Sequence, residues 1–242
     1  GFAPLRRVNK MFKAFEERAE RVSAVAAVVK ERKQLFRLRS SEHQIAQRLP
    51  YVTSVTLLEW THRELQMPID NRVNAATADG GHLDVLQWAR SQDPPCPWDE
   101  YVCRNAAMKG HLDMLQWSRS QDPPCPWDED VCQLAAENGH LDVLQWARSQ
   151  DPPCPWDVWA CKCAAENGLD VLQWARSQDP PCPWDENVCS NAAENGHLDV
   201  LQWARAQDPP CAWDEDVCMY AAKNGHLDVL QWARSQDPPC PW

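Results

Sequence analysis

From Gly81 onward the apolar and polar residues of this chain follow one recurring phrase, which at Leu141–Gln150 reads LDVLQWARSQ. Leu141, Val143, Leu144, Trp146 and Ala147 fall at the three- and four-residue steps of one helix face, with Asp142 and Gln145 opposite. Just upstream, WDEDVCQLAAEN at Trp127–Asn138 predicts a second short helix. Asp128 stands at its N-cap, Glu129 suits the positive end of its dipole, and Gly139 ends it as a left-handed cap. The Pro152–Pro153 pair stops the helix that follows. Each phrase therefore predicts two short antiparallel helices and a Pro-rich loop.

The tripeptide Leu-Gln-Trp ends at Trp88, Trp117, Trp146, Trp174, Trp203 and Trp232, at spacings of 29, 29, 28, 29 and 29 residues. The short spacing arises at Asn167–Asp170, which lacks the His found in the other copies. A weaker copy lies upstream, with Leu-Glu-Trp ending at Trp60 and Met67–Asp70 standing where the others have Cys-Pro-Trp-Asp. Of 20 prolines, 17 fall in the loops, and apart from Gly1 every glycine falls in the turn between paired helices. Helices of about ten residues are marginal alone, so each unit must gain its stability by stacking on neighbours. A repeated interface demands a repeated sequence.

Ahead of the repeats, residues 8–38 contain no Pro or Gly and predict one long amphipathic helix. Val8, Phe15, Val22, Val29 and Phe36 recur every seven residues, while Arg18 and Arg32 break the second stripe of a strict coiled coil. The expected organisation is a basic amphipathic helix over 1–40, a degenerate capping repeat over 41–80, and a solenoid over 81–242. The long helix either caps the first unit or binds a partner. The chain starts at Gly1 and stops within a repeat, so it is read as a piece of a longer protein.

At this level of detail the units resemble a known family. The pattern C-x-x-A-A-E-N-G-H-L-D-V-L, as at Cys132–Leu144, is similar to the ankyrin repeat, with a small-residue pair in the first helix and Gly-His in the turn. The Cys-Pro-Trp-Asp-Glu loop resembles a divergent ankyrin subtype of algae, water moulds and large DNA viruses. The unit departs from the usual length of about 33 residues and from the Thr-Pro-Leu-His start, so the β-turn finger is expected to be reduced to the loop. The resemblance implies an all-α, ankyrin-like solenoid of about 29-residue helix-turn-helix units that serves as a protein-protein interaction scaffold.

Charge narrows the partners. Residues 1–40 hold 11 basic and 4 acidic side chains, which leaves a net −18 over the rest of a chain whose total is −11. Such a surface repels phosphate, so nucleic acid is not expected as a ligand, though the basic segment could make a second contact with an acidic partner. No apolar run approaches the roughly 20 residues of a transmembrane segment.

Chemistry is sparse. Twelve cysteines are present, and five units place a loop Cys seven residues before a helix Cys: Cys96/Cys103, Cys125/Cys132, Cys154/Cys161, Cys182/Cys189 and Cys211/Cys218. The spacing lacks the short knuckle of structural zinc, and the helix Cys shares the face of the Ala pair, which predicts core packing. Equivalent cysteines of adjacent units would stand roughly 8–10 Å apart, beyond the reach of a disulfide. Neither metal nor cofactor is expected. Reduced thiols point to an intracellular, reducing compartment. Twelve of the 14 tryptophans hold two fixed positions of the repeat and read as framework. Ser is sparse outside Ala-Arg-Ser-Gln, no phosphate-binding Gly loop exists and the recurring Asp-Glu pairs read as helix caps, so no enzyme is expected.

What varies is one helix face. Val102, Cys103, Ala106 and Ala107 and their counterparts are nearly constant. The varying positions are Tyr101, Arg104, Asn105 and Met108, then Asp130, Gln133 and Leu134, Trp159, Lys162 and Cys163, Asn187, Ser190 and Asn191, and Asp216, Met219 and Tyr220. Offsets of 0, 3, 4 and 7 put them on one side of the first helix, expected to be the partner-binding face. Trp159 is the expected anchor. A constitutive linker subunit of a large organellar or viral assembly, or a substrate adaptor, would use the same architecture.

Overall fold

The computed structural model describes residues 50–241, and the long helix expected within residues 8–38 lies outside them. Among the described residues, a 3₁₀ turn at Pro50–Thr53 precedes thirteen α-helices, and there is no strand. Helix α1 (Val55–Leu65) leads into six pairs: α2 (Asn71–Gly80) with α3 (Leu83–Arg90), α4 (Glu100–Lys109) with α5 (Leu112–Arg119), and α6 (Glu129–Glu137) with α7 (Leu141–Arg148). Then follow α8 (Val158–Asn167) with α9 (Leu169–Arg176), α10 (Glu186–Glu194) with α11 (Leu198–Arg205), and α12 (Glu215–Asn224) with α13 (Leu227–Ser235). Each first helix packs on its own second helix and on the first helices flanking it. The result is the expected all-α solenoid. Helix α2 belongs with α3, so the first complete pair runs across residue 80.

The repeated letters map onto the core. In α7 Val143, Leu144 and Ala147 are buried, Leu141 and Trp146 are half-buried, and Asp142 and Gln145 face solvent. In α6 Val131, Cys132, Ala135 and Ala136 are buried, and the two alanines let neighbouring helices approach closely. Asp99, Asp157, Asp185 and Asp214 cap their helices by accepting the amide two residues on. Asp128 occupies the same N-cap position but accepts no helix amide, because its carboxylate is engaged by the Arg104 guanidinium. That forked, charge-assisted pair outcompetes a single amide bond.

The loop after each second helix is fastened by the residues that never change. In the α8–α9 unit the Cys182 amide donates to Ala175 O at 3.1 Å and its thiol donates to Asp157 O, at the start of α8, at 3.5 Å. Arg176 Nη1 donates to Cys182 O at 2.6 Å while its guanidinium lies 4.1 Å from the Trp184 ring. Ser177 Oγ and Gln178 Nε2 both donate to Trp174 O, at 2.8 and 3.0 Å, satisfying a carbonyl at the helix end. Each loop opens on a cis Asp-Pro peptide. The loop Trp then meets the second-helix Trp of the next unit edge-on, with centroids 5.8–6.1 Å apart in all five pairs.

Turns join units a second time. His140, His197 and His226 donate from Nε2 to Met108 O, Glu166 O and Glu194 O of the preceding first helix, at 3.2, 2.8 and 3.0 Å. Gly110 has φ +72°, and a Cβ there would come within 2.7 Å of the His140 ring, so both backbone and packing demand glycine. In the shortened turn Asn167 takes over: its Nδ2 donates to Ala136 O at 3.3 Å and to Glu137 O. Its counterparts Asn138, Asn195 and Asn224 bond only within their own helices, to Leu134 O, Asn191 O and Tyr220 O. The missing His is thus replaced by the side chain beside it.

Two stability predictions follow from these contacts. Arg176→Ala should cost about 2 kcal/mol in urea unfolding, from one lost hydrogen bond and one cation–π contact. Arg176→Lys should recover less than half, since an ammonium cannot both lie flat on the indole and hold the carbonyl. Separately, Asn167→Ala should cost about 1–2 kcal/mol. With a His inserted between Gly168 and Leu169, stability should stay level or rise and the Asn167→Ala loss should nearly vanish. An unchanged Asn167→Ala cost after insertion would mean that the two side chains do not share one role.

Candidate interaction surface

The five variable sets do not lie equally open. Trp159 is 48% exposed and Met219 is 49% exposed, each on the outer line of its first helix. Tyr101, Arg104, Met108, Asp130, Gln133, Lys162 and Asp216 are half-buried, and Asn187 is exposed. These residues, at offsets 0, 3 and 7, are distributed over α4, α6, α8, α10 and α12.

Offset 4 behaves differently. Asn105, Asn191 and Cys163 are buried, 5, 7 and 5% exposed, and Leu134 and Tyr220 are half-buried. Asn105 Nδ2 donates to Ala75 O at 3.0 Å and Asn191 Nδ2 to Glu166 Oε1 at 2.5 Å, both on the preceding first helix. The expectation that this position is open on the face is corrected accordingly, because first helices stack flank to flank and offset 4 points into that seam. Ser190 is also buried, its hydroxyl donating to Asn187 O at 3.2 Å. Asn105, Ser190 and Asn191 therefore set how neighbouring helices sit.

Arg104 is the most constrained polar group of the band. It forms a forked pair with Asp128, an ion pair at 3.0 Å with Asp130, and rests 5.4 Å from the Tyr101 ring centroid. These contacts raise its pKa further, the bond to Asp128 most of all. Lys162 Nζ lies 4.2 Å over the Trp159 ring, a cation–π contact within one helix. Around them the charge is acidic. Partial burial pushes the Asp130 and Asp214 carboxyls above their ordinary range, against the lowering effect of Arg104 on Asp130 and of the Asp216 amide on Asp214. Glu166 is likewise raised, by burial and by its like-charged neighbours Glu137 and Glu194, with Lys162 opposing.

No group of three or more His, Cys, Asp or Glu side chains gathers as a metal cluster among the described residues. No helix there is long and apolar enough to cross a membrane. Sequence reasoning missed the arrangement of sulfurs. Loop and helix cysteines seven residues apart belong to different units, whereas the structure returns the loop to the helix Cys 21 or 22 residues earlier: Cys161 Sγ lies 3.5 Å from Cys182 O and Cys132 Sγ 4.0 Å from Cys154 O. Only the return of the loop to its own first helix reveals that pairing.

A stack of helix pairs with a constant interior and one varying band defines a helical repeat protein. Residues 189–234, from α10 into α13, match the family model described as ankyrin repeats (many copies). The same residues recur in the units before them, and the match together with the repeated helix pairs fits an ankyrin-like repeat protein. No curated protein matches it.

The raised Glu166 pKa gives a pH prediction. A carboxyl whose pKa is higher folded than unfolded contributes stability at acid pH that is lost as pH rises through its folded value. Glu166→Gln, which keeps an acceptor for Asn191, should therefore be slightly more stable than the native chain at pH 7. The gain should stay under ~1 kcal/mol because the group is partly solvated. It should close as pH falls through the raised pKa of the native carboxyl. Denaturation curves at pH 7 and in acid check it, and a gap that widens in acid would reverse the assignment.

Proposed function

We propose that the chain is a non-enzymatic scaffold that holds a protein partner along the first-helix band. Ankyrin repeats generally mediate protein-protein interaction, and the match to that family supports the class of function. The band itself rests on one observation above the others. Trp159 carries its indole 48% exposed where four equivalent positions carry Tyr101, Asp130, Asn187 and Asp216. Every other tryptophan with described side-chain burial is half-buried in the repeat framework. A large aromatic left open at a varying position is what an interface hot spot requires.

The surroundings define the partner's chemistry. Asp128, Asp130, Glu137, Glu166, Glu194 and Asp216 line the band, with Lys162, Lys223 and Arg104 as interspersed cations, the last already paired. A partner presenting an apolar side chain flanked by Lys or Arg fits, and nucleic acid does not.

Trp159→Ala should weaken capture of the native partner by ~2 kcal/mol or more, about 30-fold, with the helical circular dichroism unchanged. Gln145→Ala, on the exposed face of second helix α7, serves as the control and should leave capture unaffected. Full affinity in folded Trp159→Ala, together with a loss in Gln145→Ala, would move the interface to the second helices.

A further inference from the structure

The first-helix band carries more acid than its own helices neutralise. Glu137 and Glu194 are exposed and Asp216 is half-buried, and none of the three forms an ion pair with another described residue. Asp128 and Asp130 share the one guanidinium of Arg104. Among these carboxylates Trp159 and Met219 stand open. A strip of apolar side chains bordered by cations is what complements such a surface.

The chain carries such a strip ahead of its repeats. Residues 1–40 hold 11 basic and 4 acidic side chains, a net of +7 against −18 for everything after them. Within that segment Val8, Phe15, Val22, Val29 and Phe36 recur every seven residues, with cations such as Lys10, Lys13, Arg21 and Lys33 between them. The two periods agree. Seven residues of the helix that this sequence predicts rise about 10.5 Å, and stacked first helices stand roughly 8–10 Å apart. Five apolar positions on one side thus match five first helices, α4, α6, α8, α10 and α12, on the other.

Length and direction also fit. As a helix, Val8 to Leu38 would measure ~46 Å, and the row from α4 to α12 spans roughly 32–40 Å. The segment joins the repeats at their first end through residues 39–49, a stretch that can reach about 36 Å. Phe36 then falls at α4, Val22 at α8 and Val8 at α12, which sets Val22 against Trp159. So short a tether holds the segment at an effective concentration of about millimolar, far above that of a second copy.

We propose that residues 8–38 lie along the first-helix band of their own chain, with Val22 at Trp159, as a built-in occupant that an outside partner must displace. The inference rests on the band being a binding surface. Its test uses the full chain carrying Trp159→p-benzoylphenylalanine, verified as folded by circular dichroism, irradiated, digested and mapped by mass spectrometry. The expected product is a monomer in which position 159 is joined to a residue within 15–29. Its yield should fall at least about tenfold when Val22→Asp is added, because a carboxylate replaces the apolar contact. Near 1 M salt, where screening limits charges to a reach of ~3 Å, the yield should fall as well. The same photoprobe at Gln145, on the exposed face of α7, should join nothing within residues 8–38. Joining of position 159 to a second chain, or to no residue before Pro50, would overturn the proposal. Loss of native-partner capture in Trp159→Ala without any such product would remove the built-in occupant and leave the partner surface standing.

Discussion

Everything in this solenoid depends on the loop behind each second helix being held shut. Two helices of eight to ten residues bury too little to persist alone, and the Pro-rich segment joining one pair to the next has no helix or strand to fix it. Its shape comes instead from a single residue held on several sides. The loop Cys donates its amide to the second helix and its thiol to the start of the first, and accepts at its carbonyl from the arginine one turn back. That arginine then lies on the loop tryptophan, which abuts the tryptophan of the following unit. Closure within one unit and docking onto the next are therefore parts of one chain of contacts, which explains why Ala-Arg-Ser-Gln and Cys-Pro-Trp recur almost unaltered.

Because contacts run mainly between neighbours, a local irregularity stays local. The deletion before Leu169 removes one residue, and Gly168 adopts φ +119° in place of the 70–80° found at the other turn glycines. Asn167 then supplies the lost bridge to the preceding helix, and the units on either side keep their tryptophan pairs. The same locality frees the outer line of each first helix. There the residue changes from Asp130, paired with Arg104 of the preceding first helix, to Trp159 to Asn187, while the first helices continue to stack on one another.

Much of this was legible in the sequence because period, glycine and proline mark the helix ends directly. The two-helix unit, the buried Val-Cys and Ala-Ala positions and the all-α class all follow from spacing. What spacing cannot show is how the closing loop folds back. It suggested that Cys154 and Cys161 go together, when the unit boundary separates them and the loops return Cys154 to Cys132 and Cys182 to Cys161. It also placed Asn105 and Asn191 on the open face, since a helical wheel knows one helix and not its neighbours on either flank. The Arg104–Asp128 pair was hidden for a related reason: its partners are 24 residues apart and the bond takes the carboxylate from a cap that the local sequence announces.

The chain divides into a copied framework and a variable outer line, and the most direct measurement exchanges the outermost residue of one helix for that of another. In the chain carrying Trp159→Asn, α8 presents the outermost residue of α10, Asn187. Unfolding free energy and affinity for the native partner are then measured on the same preparation. The division predicts a denaturation midpoint equal to that of the native chain and a loss of affinity of at least tenfold. A lowered midpoint with affinity retained would show that these positions support the stack and that specificity is written elsewhere.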